Sequence, residues 1–314
     1  MPYAPLHGAP EPRTVVITGA SRGLGLASAA LLYRRGWRVI AAMRSVDAGL
    51  ERLRAATGVS GGDPRLVPVR LDLADEESVV AAAAEITAAA GAPDAVVHNA
   101  GVAVAGCSEE LPARAWHSIL AANLLGPVAL TGELLPSMRA AQGGRIVVVS
   151  SMIGLHGFPG ASAYSAAKSA LERWAEALAG EVAPFGLGVT VLVTGTFDTE
   201  IITDAIPDYR DFDGPYARQN RAIDQRGRSA VRFAAPPERF ARGLARALDG
   251  TAPFARVPVG RDARLMLLAH RLLPARALHQ GTRLAMGLPG HGALSGPVPS
   301  TNTVPSAKEN TLNG

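Results

Sequence analysis

From Arg13 onward, short β-branched apolar runs alternate with longer Ala- and Leu-rich segments. TVVITG (Thr14–Gly19), RVIAAM (Arg38–Met43), RLVPVRLD (Arg65–Asp72), DAVVHNAG (Asp94–Gly101), GRIVVVSS (Gly144–Ser151) and GVTVLVTG (Gly188–Gly195) read as strands, with ARVPVG (Ala255–Gly260) as a seventh. Helices are expected from about Leu24 to Arg35, across DEESVVAAAAEITAAAG, over most of Glu109–Met138, and from about Ala163 to Ala183. Strands apolar at successive positions are buried on both faces, which calls for helices on both sides of a parallel sheet. The predicted fold class is therefore α/β, a doubly wound parallel sheet with its ligands at the carboxyl ends of the strands.

Two stretches break the alternation. From about Thr196 to Phe233 the chain carries mixed charge, Gly, Pro and two tyrosines with weak periodicity, and reads as a substrate lid. After Gly260, RDARLMLLAHRLLPARALHQGTRLAMGL predicts two short amphipathic helices broken at Pro274. The expected organisation is a flexible segment at 1–12, one domain at 13–262 holding the lid at about 196–233, a helical extension at 263–288, and a disordered tail at 289–314.

The 314 residues are 48% hydrophobic, which suits a large core and excludes a disordered, collagen-like or disulfide-scaffold chain. A net charge of +4 is too small to imply nucleic acid as partner. Between Arg218 and Arg283, fourteen arginines stand against four acids. Acidic lipid or nucleic acid could use such a surface, but without interleaved aromatics solvated helix faces are the preferred reading. The lone Cys107 cannot form an internal disulfide, so a reducing cytoplasm is the expected compartment, and it reads as filler rather than nucleophile. The N-terminus lacks a secretory pattern, and no run reaches the ~18 apolar residues of a spanning helix, so no transmembrane segment is expected. No metal site is expected either.

Chemistry enters at the turn after the first strand. Gly19-Ala-Ser-Arg-Gly23-Leu-Gly25 has the glycines a tight turn needs if backbone is to approach a pyrophosphate at a helix N-terminus. An acid at the end of the second strand would hold the ribose 2′-OH of NAD. This chain has Ala41-Ala42-Met43-Arg44-Ser45, with no acid before Asp47, so Arg44, helped by Arg22, would grip the 2′-phosphate of NADP. NADP is therefore expected in preference to NAD. Tyr164 and Lys168, four residues apart on one helix, share a face. An ammonium beside a phenol is expected to lower its pKa from ~10. Of the 31 basic residues only Lys168 and Lys308 are lysines, so an ammonium at Tyr+4 stands out.

TGASRGLG (Thr18–Gly25), Asp72 in RLDLAD, Asn99-Ala100-Gly101, Asn123 in ANLLG, Ser151 in VVVSS and Tyr164-x-x-x-Lys168 follow the order and spacing of one family. The chain resembles the short-chain dehydrogenase/reductases, specifically their shorter, single-domain branch with a Rossmann fold. The likeness runs from roughly Thr14 to Thr199, and more loosely to about Gly260. Arg44 and the long lid look most like hydroxysteroid and retinol dehydrogenase-like members. The resemblance implies Tyr164 as general acid/base, Lys168 as its pKa-lowering partner and ribose contact, Ser151 as the group positioning the substrate oxygen, and Asn123 as holder of a proton-relay water. It implies pyrophosphate contacts from Gly19, Ser21, Gly23 and Gly25, further cofactor contacts from Arg22 and Leu24, and adenine contacts from Asp72 and Leu73. Asn99, Ala100 and Gly101 would adjoin the cofactor, and Gly195 and Thr199 its nicotinamide end. Thr194 stands where the family usually has Pro, which puts lid geometry in question. His156 lies where it could line the substrate pocket or an outer loop.

These features predict hydride transfer between a nicotinamide cofactor and a secondary alcohol or ketone. Ile201-Ile202 and Phe254 favour a hydrophobic small-molecule substrate such as a steroid, retinoid or fatty-chain carbonyl, and the resemblance implies a homo-oligomer, dimer or tetramer. A 3-ketoacyl-thioester reductase is the alternative within the class. A non-catalytic NADP-sensing or scaffolding protein is the alternative outside it, against which the intact Ser/Tyr/Lys/Asn set argues.

Overall fold

Among the described residues seven strands, β1 (Thr14–Thr18), β2 (Arg38–Met43), β3 (Leu66–Arg70), β4 (Ala95–His98), β5 (Gly144–Ser151), β6 (Leu187–Thr194) and β7 (Phe254–Val259), pair in the order β3-β2-β1-β4-β5-β6-β7. Every pairing is parallel. The computed structural model describes residues 12–59, 61–199 and 206–295. Residues 1–11, Ile201-Ile202 and the tail from 296 onward, Lys308 included, lie outside the described residues.

Side chains alternate across a strand, and both faces of this sheet are filled. Val16, Ile40, Val96, Ile146 and Val148 pack into one core, while Val15, Ile17, Val39, Val97 and Val147 pack into another. The helices are α1 (Gly23–Arg34), α2 (Val46–Thr57), α3 (Glu76–Ala90), α4 (Ala113–Leu120), α5 (Gly126–Ala140), α6 (Met152–Leu155) and α7 (Ser162–Val182). They are followed by α8 (Ala217–Val231), α9 (Pro237–Leu248), α10 (Arg261–Leu272) and α11 (Ala275–Ala285). Leu130 and Leu134 of α5 and Leu171 and Leu178 of α7 close the first core; Leu32 of α1 and the fully buried Phe240 of α9 close the second. Truncating Phe240 to Ala would cost about 3–5 kcal/mol. This is the doubly wound, Rossmann-type arrangement that the apolar strands predict.

Three details differ from expectation. The lid segment contains a 15-residue helix, α8, which buries only Asn220 and so has no apolar stripe to betray it. Ala121–Leu125, between α4 and α5, is a π turn. The resulting run Ala113–Ala140 is also, among the described residues, long and apolar enough to cross a membrane, although Leu130, Leu134 and Met138 are buried in the core. A third, smaller cluster joins Val104, Leu111, Ala115 and Ile119 to Ala163 and Ala167 at the start of α7, with Ile206 and Tyr209 packed on it.

Candidate active site

Chain direction across the sheet reverses between β1 and β4, and a cavity of about 930 Å³ lies beyond their carboxyl ends. Gly19, Ser21, Arg22, Gly23 and Leu24 line it, as do Arg44, Asp72, Leu73, Asn99, Ala100 and Gly101. Ser151, Tyr164, Lys168, Gly195 and Thr199 line the same cavity. Of the predicted site residues, Gly25 and Asn123 stand behind its wall.

Steric fit explains Gly25. A Cβ there would lie 2.1 Å from the Gly19 carbonyl oxygen and 2.6 Å from Asn99 Nδ2. Asn99 itself ties the turn to β1, since its Nδ2 donates to the Thr18 carbonyl at 3.0 Å. Thr18 Oγ1 accepts from the Asn99 and Ala100 amides at 3.1 and 3.0 Å. The α1 N-cap, Arg22, offers no side-chain acceptor to the first turn, so the N–H groups there are not capped from within the helix. At the end of β2, Arg44, Ser45 and Arg52 line the cavity. Arg52 escaped sequence reasoning because only the fold brings α2 back over the end of β2.

The row Tyr164, Lys168, Glu172, Glu176 ascends one side of α7 at four-residue spacing. Lys168 Nζ donates to the Val149 carbonyl at 2.8 Å and sits 5.7 Å from the Tyr164 ring centroid. Burial pulls the Lys168 ammonium down to about 8, against the opposing pull of Glu172. Burial pushes the Tyr164 phenol up to about 12. This corrects the expectation of a phenol pKa lowered by its neighbour: in the protein alone, Nζ is bonded to backbone and desolvation dominates. Ser151 Oγ accepts from the Ile153 amide at 3.3 Å, capping α6. Asn123 is fully buried, its Nδ2 donating to the Val102 carbonyl (2.7 Å) and its Oδ1 accepting from the Val102 amide (2.9 Å). Oδ1 and Lys168 Nζ converge on Gly101, where a Cβ would lie 2.9 and 3.5 Å from them.

Three further features were not legible in the sequence. Glu172, buried, accepts from Ser150 Oγ at 2.6 Å and faces Arg256 Nε at 3.2 Å. Arg256 also holds Glu176 at 2.5 Å. Thr194 Oγ1 donates to the Ser150 carbonyl at 2.7 Å, a bond the usual Pro could not make, so the substitution braces the strand that carries Ser151. The segment around 211–220 is fastened through Glu110, whose carboxylate accepts from the Asp211 amide (2.9 Å) and Asn220 Nδ2 (2.6 Å) as well as from the nearby Cys107 amide (2.6 Å). Burial, with Glu110 beside it, pushes the Cys107 thiol up to about 11, consistent with filler. His156 does not line the cavity. It stacks edge-on to Phe158 at 6.2 Å on the side of His270 and His279, and burial followed by those two rings lowers its pKa. His98, buried and bonded to Thr131 Oγ1 at 2.7 Å, is held at about 3 by burial and then Lys168, and stays neutral.

The sequence profile of the short chain dehydrogenase family matches residues 13–210. Dehydrogenase/reductase SDR family member 7B of mouse is 36% identical over 193 residues, 61% of this chain and 60% of its own length, so the chain matches under two thirds of that relative. The oxidoreductase YbbO of Escherichia coli is 32% identical over 87% of this chain and 95% of its own. A short-chain dehydrogenase crystal structure from Streptomyces avermitilis, 32% identical, superposes with a TM-score of 0.75 over 89% of this chain and 99% of that one. A short chain dehydrogenase/reductase from Burkholderia phymatum in complex with NAD is 25% identical, with a TM-score of 0.71 over 86% of this chain and 95% of that one.

Proposed function

The chain belongs to the short-chain dehydrogenase family, and we propose that it is an NADP-preferring oxidoreductase interconverting a ketone and a secondary alcohol on a hydrophobic small molecule. One juxtaposition carries the proposal: Ser151, Tyr164 and Lys168 line the same cavity as the glycine turn after β1. A dinucleotide fits that turn, because the space a Cβ at Gly25 would need is closed by Gly19 and Asn99, leaving a backbone cradle at the uncapped start of α1. Gly19, Ser21, Gly23 and Leu24 would hold the pyrophosphate, Asp72 and Leu73 the adenine, and Asn99 to Gly101 with Gly195 and Thr199 the nicotinamide half. When bound, the cofactor supplies or accepts the hydride.

The chain's own residues handle the proton. Tyr164, protonated through neutral pH, gives its phenol proton to a carbonyl oxygen in reduction, and in oxidation its phenolate form takes the proton from the alcohol oxygen. Ser151 Oγ holds that oxygen and stabilises its developing charge. The Lys168 ammonium stabilises the phenolate left behind. Asn123 fixes Val102 and, through Gly101, the approach to Lys168. Arg22, Arg44 and Arg52 among the lining residues, with Asp47 outside the wall, support a 2′-phosphate at the adenosine end. Val102, Val104, Ile153, Phe197 and Ile206 support an apolar substrate.

The test is consumption of NADPH and NADH against hydrophobic ketones and a 3-ketoacyl thioester. Tyr164→Phe is expected to lose at least ~100-fold in kcat; undiminished turnover refutes the mechanism. Arg44→Ala should weaken NADPH and spare NADH. Tighter NADH binding in the parent, untouched by Arg44→Ala, refutes the cofactor preference.

A further inference from the structure

α10 has two apolar faces where a surface helix needs one. Ala263 and Leu267 are buried against the fold. Leu265, Leu268 and Leu272, spaced i, i+3 and i+7, share the opposite face and are 68%, 53% and 70% exposed. Leu273, at the corner before α11, adds a fourth exposed leucine. Arg261, Arg264, Arg271 and Arg276 are all exposed around this stripe and enter none of the ion pairs among the described residues. From Arg261 to Arg283 five arginines meet a single acid, Asp262, whose Oδ2 turns inward to accept from the Thr196 amide at 2.5 Å. The arginines taken alone read as solvated helix faces; the leucine stripe between them is what the structure adds.

We propose that the α10–α11 corner docks on an anionic lipid surface, with the leucines entering the headgroup–acyl boundary and the arginines meeting lipid phosphates. A convex helix with an aliphatic stripe and cationic flanks matches a soft, negatively charged plane. A second copy across a two-fold axis would set five arginines against five, each side with the same single inward-facing acid. An acidic protein partner would want aromatic anchors, and from Arg261 to Arg283 there is no Trp, Tyr or Phe.

Co-sedimentation of the full chain with phosphatidylcholine vesicles, with and without phosphatidylglycerol, tests this. Binding is expected with the mixed vesicles and to fall with salt. Arg264→Gln/Arg271→Gln should weaken it by about 25-fold, at about fivefold per arginine. Leu265→Ser/Leu268→Ser/Leu272→Ser should abolish it while leaving the melting temperature and NADPH-dependent turnover at parent values, since these side chains already face outward. Absence of binding to the mixed vesicles overturns the proposal. So does a dimer that becomes monomeric in the leucine variant, which assigns the stripe to a second copy. Leucine-dependent binding to polyglutamate, without binding to vesicles, overturns it in favour of an acidic polypeptide.

Discussion

Gly25→Ala and Gly23→Ala differ by two residues in one turn, yet they should fail for different reasons and by different amounts. At Gly25 the added methyl meets the Gly19 carbonyl oxygen at 2.1 Å and Asn99 Nδ2 at 2.6 Å, far inside the ~3.5 Å of ordinary contact. Neither neighbour yields easily: the Gly19 amide is bonded to the Ala42 carbonyl at 2.8 Å, and Asn99 Nδ2 to Thr18 at 3.0 Å. Overpacking of about 1–3 kcal/mol plus about 1 kcal/mol for the lost Asn99 bond gives roughly 2–4 kcal/mol. At Gly23 the methyl meets only the Thr199 side chain, Cγ2 at 3.3 Å and Cβ at 3.4 Å, but φ is +52°, so the cost is the ~1–2 kcal/mol of a left-handed residue with a side chain. Thermal melts without nucleotide should fall by about 8 °C for Gly25→Ala and about 3 °C for Gly23→Ala. Titration with NADPH by fluorescence quenching should show Gly25→Ala weakened more than ~10-fold, the equivalent of about 1.4 kcal/mol. A Gly25→Ala melt within ~2 °C of the parent, or Gly23→Ala as the worse variant, would refute the steric account.

Three other outcomes are expected. Lys168 has a folded pKa of about 8 against an ordinary 10.5, so the unfolded chain binds more protons between those values. The parent should gain up to about 3 kcal/mol over Lys168→Met as pH rises through that window, and lose it again as pH falls through 8; the same parent-minus-variant unfolding free energy from denaturant titrations at pH 7.5 and 10 would contradict this. Glu172→Gln removes the charge that holds the Lys168 ammonium up, so the alkaline limb of the reduction rate should move to lower pH, read from a pH–rate profile. Glu110→Ala removes the acceptor of two bonds to the 211–220 segment and of one from the Cys107 amide, together worth about 2–3 kcal/mol. Substrate KM should rise well before kcat falls, with faster proteolysis in the α8 segment.

The strands were legible because burial on both faces writes itself as unbroken apolar runs, and Val15 and Val16 going to opposite cores is that signal realised. The cavity-lining set was legible because glycines and a Tyr/Lys pair at fixed spacing are chemically unusual. α8 was not, because a polar helix held by Asn220 and Glu110 carries no periodic stripe. Nor was the Ser150–Glu172–Arg256 chain, whose members come from β5, α7 and β7 and meet only in three dimensions. The raised phenol of Tyr164 was misjudged for the same reason: sequence spacing reveals the neighbouring ammonium, not the desolvation that opposes it.

The π turn at Ala121–Leu125 makes the run from Ala113 to Ala140 a matter of phase. A helix rotates about 100° per residue, so one residue taken up in a wide turn swings everything before it by about that angle relative to everything after. Counted as a regular helix, the buried face of α4 (Ala115, Ile119) and that of α5 (Leu130, Leu134, Met138) would diverge by roughly 80°; the wide turn brings them back into line. Length is thus guarded more strictly than composition here. Most single substitutions leave the phase untouched, and deleting one residue of Ala121–Leu125 would restore a regular ladder in the same phase, whereas inserting one residue would rotate α4 by about 100° off the start of α7, beside Tyr164.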